Sequence, residues 1–195
     1  MTPTELRNFG ADVIVVGAGN AALCAAISAH ENGAKPLILE AAPFEDRGGN
    51  SHYTGGAFRF AYSGIEDLID ICPAMAEEDF SHVDFGSYTE EQYFDDMFAL
   101  THFRTDPELC EILVRSSKQT AQWVGQQGVK MWPGLGRQAY KVDGKFKFFG
   151  GLALHISGGG PEMLTALYAR AESLGIPIAY ETPAVELLRD GDRIS

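Results

Sequence analysis

Hydrophobic positions in the first forty residues fall into two short runs with an alanine-rich stretch between them. "ADVIVVG" (11–17) is a β-branched run of the kind that forms a buried parallel strand. "NAALCAAISAHENG" follows with good helix formers and Gly33 as its stop. "KPLILE" (35–40) reads as a second buried strand. Parallel neighbours need a crossover, so this β-α-β pattern predicts a parallel sheet.

Residues 62–104 predict short helices with irregular joins. In "TEEQYFDDMFALTHF", Thr89 is the expected N-cap, and Tyr93, Met97, Phe98 and Leu100 fall at near-helical spacing. A longer helix is expected from "DPELCEIL", with Asp106 as N-cap and Pro107 in its first turn, to about Gly125–Gly128. Residues 128–151 read as strand and turn, with "VDGK" a two-residue hairpin turn. "GGGPEMLTALYARAESLG" predicts a helix opened by Pro161 and closed by Gly175. "IPIAYE" and "PAVELL" read as strands, and "RDGDRIS" as a hairpin whose returning strand has barely begun. Such an end leaves an unfinished sheet, so Ser195 is not expected to be a natural domain end.

Apolar residues make up 45% of the 195, enough for a sizeable core in one domain. No apolar run approaches a membrane span, and the N-terminus lacks a signal-peptide pattern, so direct membrane insertion is not expected. Cys24, Cys72 and Cys110 form no CxxC pair. They read as reduced cytoplasmic thiols, with no metal site expected. A net charge of −12 argues against nucleic acid as a partner. The charge is uneven: residues 61–103 hold eleven acids and no Lys or Arg, whereas Lys130–Lys147 holds five bases and one acid. Two solvated faces would explain this. A basic stretch that attracts an anionic substrate or cofactor phosphate would also explain it.

Gly17-x-Gly19-x-x-Ala22 sits between the first strand and the first helix, where a dinucleotide fingerprint must be. Gly17 permits the tight turn, Gly19 lets the backbone approach a pyrophosphate, and Ala22 lets helix and strand pack. Free amides at the helix start then face the phosphates. Glu40 ends the second strand, 23 residues after Gly17, where a carboxylate accepts from both ribose hydroxyls and repels a 2′-phosphate. The fingerprint alone does not separate FAD from NAD. The loop "EDRGGNSHYTGGAFR" (45–59) does: its backbone amides, with Asn50, Ser51 and Thr54, suit the polar edge of an isoalloxazine.

These stretches, with "HISGGGPEMLTAL" and "IPIAYETPAVELL", resemble the succinate dehydrogenase/fumarate reductase flavoprotein family over nearly the whole chain. "RGGNSHYTGGAFRFAY" with "GRQAYKVDGKFKFFGG" is most similar to its tricarballylate dehydrogenase branch, which includes a related flavoprotein of corrin biosynthesis. The resemblance implies an α/β, doubly wound, Rossmann-like FAD-binding domain over residues 1–195, the N-terminal part of a protein whose capping domain lies beyond. It implies that Gly17, Gly19, Asn20 and Ala21 hold the pyrophosphate and that Glu40 and Ala41 contact the ribose. Gly48, Gly49, Asn50, Ser51, Thr54, Gly55 and Gly56 would line flavin and pyrophosphate, and Ala184 would meet the adenine from a strand. Asn50 stands where covalent members carry a histidine, so non-covalent FAD is expected. The implied parent is a dehydrogenase that oxidises a carbon–carbon single bond of a small anionic carboxylate, tricarballylate to cis-aconitate. Its electrons would pass to a separate, membrane-associated redox partner. No catalytic acid or base of the family matches a residue here. An NAD-dependent dehydrogenase and a non-catalytic dinucleotide-binding fragment are the alternatives.

Several other residues carry two readings each. His155 is a structural histidine or a group facing the flavin pocket. His52 is a loop residue or a flavin contact. Arg47 and Arg59 either form exposed ion pairs or balance a pyrophosphate or tricarboxylate. Cys24 is a small core residue or a thiolate stabilised near a helix start. "GGGP" at 158–161 is a flexible helix entry or an anion site.

Overall fold

A computed structural model describes residues 9–191 and 193–194. The chain divides into two compact units, one holding the described residues up to Tyr53 and those from Leu164 onward, the other holding Thr54–Met163.

The first unit is α/β. β1 (Val13–Val16), α1 (Asn20–Glu31) and β2 (Pro36–Leu39) form the expected crossover, and β9 (Ile178–Ala179) adds a third parallel strand in the order β1-β2-β9. The central strand β2 buries Leu37 and Ile38 and packs against α1, which buries Leu23, Ala26 and Ile27; α5 (Gly159–Ser173) buries Leu167 and Ala171. β1 departs from expectation. It lies at the sheet edge, and Ile14 and Val16 are 50% and 59% exposed. A β-branched run shows that a strand suits burial on both faces, but burial needs a neighbour on each, and none lies beyond β1 among the described residues. "PAVELL" forms no strand, with Val185 and Leu187 exposed, because a strand exists only by pairing and no described strand accepts it. The last hairpin is present: β10 (Arg189–Asp190) pairs antiparallel with β11 (Arg193–Ile194).

The second unit holds two small sheets and three helices. β3 (Ala57–Phe58), β8 (Leu154–Ile156) and β5 (Met131–Pro133) form an antiparallel sheet with β8 central. β4 (Val83–Asp84), β7 (Lys145–Phe148) and β6 (Ala139–Val142) form the other. The β6–β7 turn is the expected hairpin, with Asp143 and Gly144 at φ of 49° and 85°. α2 (Ile65–Ile71) and α3 (Glu90–Thr101) lie in the acidic stretch. Thr89 and Gln92 form a full capping box at the start of α3. Of the four apolar positions expected to face the core, Tyr93 is buried and Leu100 is 79% exposed; Phe98 stacks instead between Phe94 and Phe103. α4 (Pro107–Gln126) buries Cys110, Val114, Ser117, Ala121 and Val124, an i, i+4, i+7 stripe.

Five of the eleven acids in the acidic stretch form ion pairs. Lys118 bridges Asp67 and Asp70, Arg59 pairs with Asp96, Arg115 with Glu90, and Lys147 with Asp84 at 3.0 Å. The last pair joins the acid-rich and base-rich segments. The Lys118 ammonium, through its hydrogen bond, and the Ser63 amide hold the Asp67 carboxyl below the usual carboxylate range.

Asp106 accepts from the amides of Glu108 and Leu109, both at 3.0 Å. Asp106→Ala should cost about 1 kcal/mol of stability, read as a lower urea midpoint at unchanged m. An unchanged midpoint would show that the cap contributes nothing.

Candidate cofactor site

In the first unit the turn after β1 is held to β2 by the Gly17 amide, which donates to the Leu39 carbonyl at 2.7 Å. Gly17 has φ of 95°, where a side chain would be strained, and a Cβ built there meets nothing within 4 Å. The turn is therefore open to an approaching group.

Glu40 closes the turn from the other side. One carboxylate oxygen accepts the Ala18 amide at 2.7 Å and the other the Ala42 amide at 2.8 Å. Each oxygen keeps acceptor capacity for a ribose hydroxyl. The carboxylate is thus held in place before any ligand arrives. Ala41 beside it is exposed.

Ser51 brings the glycine-rich loop to the start of α1. Its hydroxyl accepts the Asn20 amide at 3.1 Å and donates to Asn20 Oδ1 at 3.1 Å, while Asn20 Oδ1 accepts the Ala21 amide at 2.7 Å. Two amides expected to face a pyrophosphate therefore have neutral acceptors. A phosphate oxygen is charged and is the stronger acceptor, so it can replace them. Gly19 is packed tightly here, since a Cβ would stand 3.1 Å from Ser51 Oγ.

The loop is less open than its composition predicts. Phe44–Asp46 and Gly49–Tyr53 are 3₁₀ turns. Gly48 is buried, and a Cβ on it would lie 2.5 Å from Leu164 Cδ1, so its missing side chain serves close packing. Gly49 faces open space, and Asn50 and His52 are exposed, His52 edge-on to Tyr53. Arg47 forms no ion pair among the described residues. Its guanidinium lies over the rings of Phe44 at 3.6 Å and Tyr168 at 4.6 Å, and it donates to the Phe44 carbonyl. Its Nε is buried without a partner. Tyr168, 150 positions from Ala18, donates its hydroxyl to the Ala18 carbonyl at 2.7 Å. No sequence signal marks that contact. Ala184 is exposed in irregular chain rather than on a strand.

Thr54, Gly55 and Gly56 belong to the second unit, where they form a pinned loop. Thr54 Oγ1 accepts the Gly56 amide at 3.2 Å, the Thr54 carbonyl accepts the Gly160 amide at 2.9 Å, and the Gly56 carbonyl accepts the Ile156 amide at 2.7 Å. The start of α5 is at Gly159, two residues before the expected Pro161, and the Gly160 amide is not free for an anion. His155, on the central strand β8, is not a satisfied structural histidine: its Nδ1 is buried with no hydrogen-bond partner. Arg59 forms an ion pair with Asp96 at 3.0 Å, one of its two readings. Burial pushes the Cys24 thiol up to about 11, which removes the thiolate reading.

A turn open at Gly17, a prefixed acceptor at Glu40 and exchangeable partners on the α1 amides suit an adenine dinucleotide without a 2′-phosphate. Family comparison decides which one. The profile of the FAD binding domain family matches residues 12–195. The chain belongs to that family. FAD is its cofactor.

This FAD-binding domain is 26% identical over 184 residues to an NADH:fumarate oxidoreductase of Klebsiella pneumoniae, covering 94% of this chain and 18% of that protein. It is 27% identical to a vinyl phenol reductase of Lactiplantibacillus plantarum, covering 94% of this chain and 32% of that one. The fold is shared with a flavocytochrome c3 fumarate reductase at a TM-score of 0.65 and 24% identity, covering 93% of this chain and 28% of that one. A 3-ketosteroid-Δ4-(5α)-dehydrogenase of Rhodococcus jostii gives 0.69 at 21% identity, with 94% and 40% covered. The domain thus spans between 18% and 32% of the length of these curated relatives.

Glu40→Gln replaces one acceptor with a donor facing an amide. It should weaken FAD binding at least about tenfold in a fluorescence-quenching titration. Binding as tight as the unsubstituted protein would remove Glu40 from the site. Cys24 in the folded protein should react slowly with iodoacetamide at pH 8, and its neutral thiol favours folding up to pH 9. That contribution is lost as pH rises from 9 toward about 11. Rapid alkylation of the folded protein at pH 8 would contradict this.

Proposed function

We propose that this domain works within a longer flavoprotein that dehydrogenates a carbon–carbon single bond next to carboxylates, with tricarballylate to cis-aconitate as the reaction. The prefixed Glu40 carboxylate, in a chain of the FAD-binding family, is the observation that carries the cofactor side of this reading. The substrate side draws support from relatives named fumarate reductases and NADH:fumarate oxidoreductase, and from the "RGGNSHYTGGAFRFAY" resemblance.

FAD supplies a hydride acceptor for the carbon being oxidised. The chain's own residues bind and orient: Glu40 holds the ribose end, Gly17 and the α1 amides receive the pyrophosphate, and Thr54–Gly56 offers a pinned backbone surface. The proton from the adjacent carbon would go to a basic side chain that the resemblance assigns to the capping domain or the second half of the FAD domain. Two electrons and two hydrogens leave the substrate, and the electrons pass on to a separate redox partner, in a cytoplasmic setting. Asn50 at the covalent position makes the cofactor releasable.

The test uses the full-length protein. Acid precipitation should leave the yellow colour in the supernatant, and tricarballylate with an artificial electron acceptor should yield cis-aconitate. A yellow pellet would contradict non-covalent binding. A flavin-loaded protein that never turns over tricarballylate would contradict the substrate.

A further inference from the structure

Arg137 is the exposed cation of the second unit that lies on a glycine loop. The turn that carries it is tied down: the Gly134 amide donates to the Ala153 carbonyl at 3.0 Å, and the Gly134 carbonyl accepts the amides of Arg137 at 3.1 Å and Gln138 at 2.7 Å. From there the guanidinium reaches Gly55, and Nη1 donates to the Gly55 carbonyl at 3.3 Å. The fit depends on glycine, because a Cβ on Gly55 would lie 2.6 Å from both Cζ and Nη1. Any side chain at that position would push the guanidinium away.

No carboxylate pairs with Arg137 among the described residues, whereas Arg59, Arg115, Lys118 and Lys147 each have at least one. In a chain of net charge −12, an arginine left without an acid is a place where positive potential is kept. A long bond to one carbonyl uses one of its five donors, so most of the fork stays available.

A buried polar group without a partner lies beside the same turn. His155 pairs in register with Ala57, two residues after Gly55, and with Trp132 on the other side. Its Nδ1 is buried and makes no hydrogen bond, and a Cβ on Gly134 would stand 3.4 Å from it. A buried ring nitrogen without a partner is costly, and its persistence points to a ligand or water that completes it. Thr54 adds a hydroxyl whose oxygen accepts the Gly56 amide, leaving its proton to donate.

We propose that Arg137 anchors a carboxylate of the substrate, on the Thr54–Gly56 loop, with Thr54 and His155 as neighbouring polar groups. The ligand class is a small di- or tricarboxylate, since a planar fork with open donors suits bidentate carboxylate recognition. This rests on the reading of the protein as a carboxylate-oxidising flavoprotein, and deepens it by assigning substrate recognition to this domain.

The test is equilibrium binding to the full-length FAD-loaded protein. Tricarballylate, succinate and fumarate are titrated while the flavin absorbance is followed, with calorimetry as a second readout. In Arg137→Gln, FAD content and melting temperature should be unchanged, while the Kd of the carboxylate that the unsubstituted protein binds should rise about 10- to 100-fold, the usual loss for one charge-assisted pair. Arg137→Lys should recover part of this, because it keeps the charge and loses the fork. Equal affinity in Arg137→Gln and the unsubstituted protein overturns the inference, as does an unsubstituted protein that binds none of the three. Sensitivity of succinate or fumarate binding to Arg137, without turnover of tricarballylate, would sustain the inference while sinking the proposed reaction.

Discussion

The two hydrogen bonds of the Glu40 carboxylate are the constraint on which the first unit's site depends. They tie the residue just after β2 to Ala18, just past the tight turn after β1, and to Ala42, shortly before the glycine-rich loop. One carboxylate thereby sets the position of both segments. It is also a charged acceptor fixed before ligand arrives, so its ordering cost on binding is small. Tyr168 reinforces the same point by donating to the Ala18 carbonyl. Burial pushes its phenol well above the usual range, which keeps it a neutral donor.

From that fixed corner the loop is built by packing. Gly48 lets Leu164 approach, Arg47 is stacked on Phe44 and Tyr168, and Ser51 reaches the start of α1. The result is a loop of two 3₁₀ turns in which Ser51 is already matched with Asn20, a neutral partner. That partner is exchangeable, whereas the packing beneath it is not. In the second unit the same logic recurs at Thr54–Gly56, where two backbone bonds and one to the Thr54 hydroxyl hold a loop on which a guanidinium rests.

Local signals are plain in the sequence. Thr89 and Asp106 cap their helices, Asp143–Gly144 makes the hairpin turn, and Gly17 makes the strand-to-helix turn, because each depends on neighbours a few positions away. FAD as the cofactor was legible for a related reason: the fingerprint that signals a dinucleotide is local. Burial was less legible. "VIVV" and "PAVELL" have strand composition, yet exposure at β1 and the absence of a strand at 183–188 depend on which partners the chain meets. The Tyr168–Ala18 and Arg137–Gly55 contacts join residues 150 and 82 positions apart, and nothing in either segment announces the other. The basic stretch was visible as a count, but only the structure separates Lys147, neutralised by Asp84, from Arg137, which no carboxylate neutralises among the described residues.

The position of the adenosine end of the cofactor is decisive. A crystal structure of the protein with FAD bound tests this most directly. The ribose hydroxyls should lie within hydrogen-bond distance of the Glu40 carboxylate, which keeps its bonds to Ala18 and Ala42, with the pyrophosphate against Gly17 and the first amides of α1. An FAD whose ribose sits away from Glu40, or a pyrophosphate held elsewhere while the Asn20–Ser51 bonds persist, would contradict it.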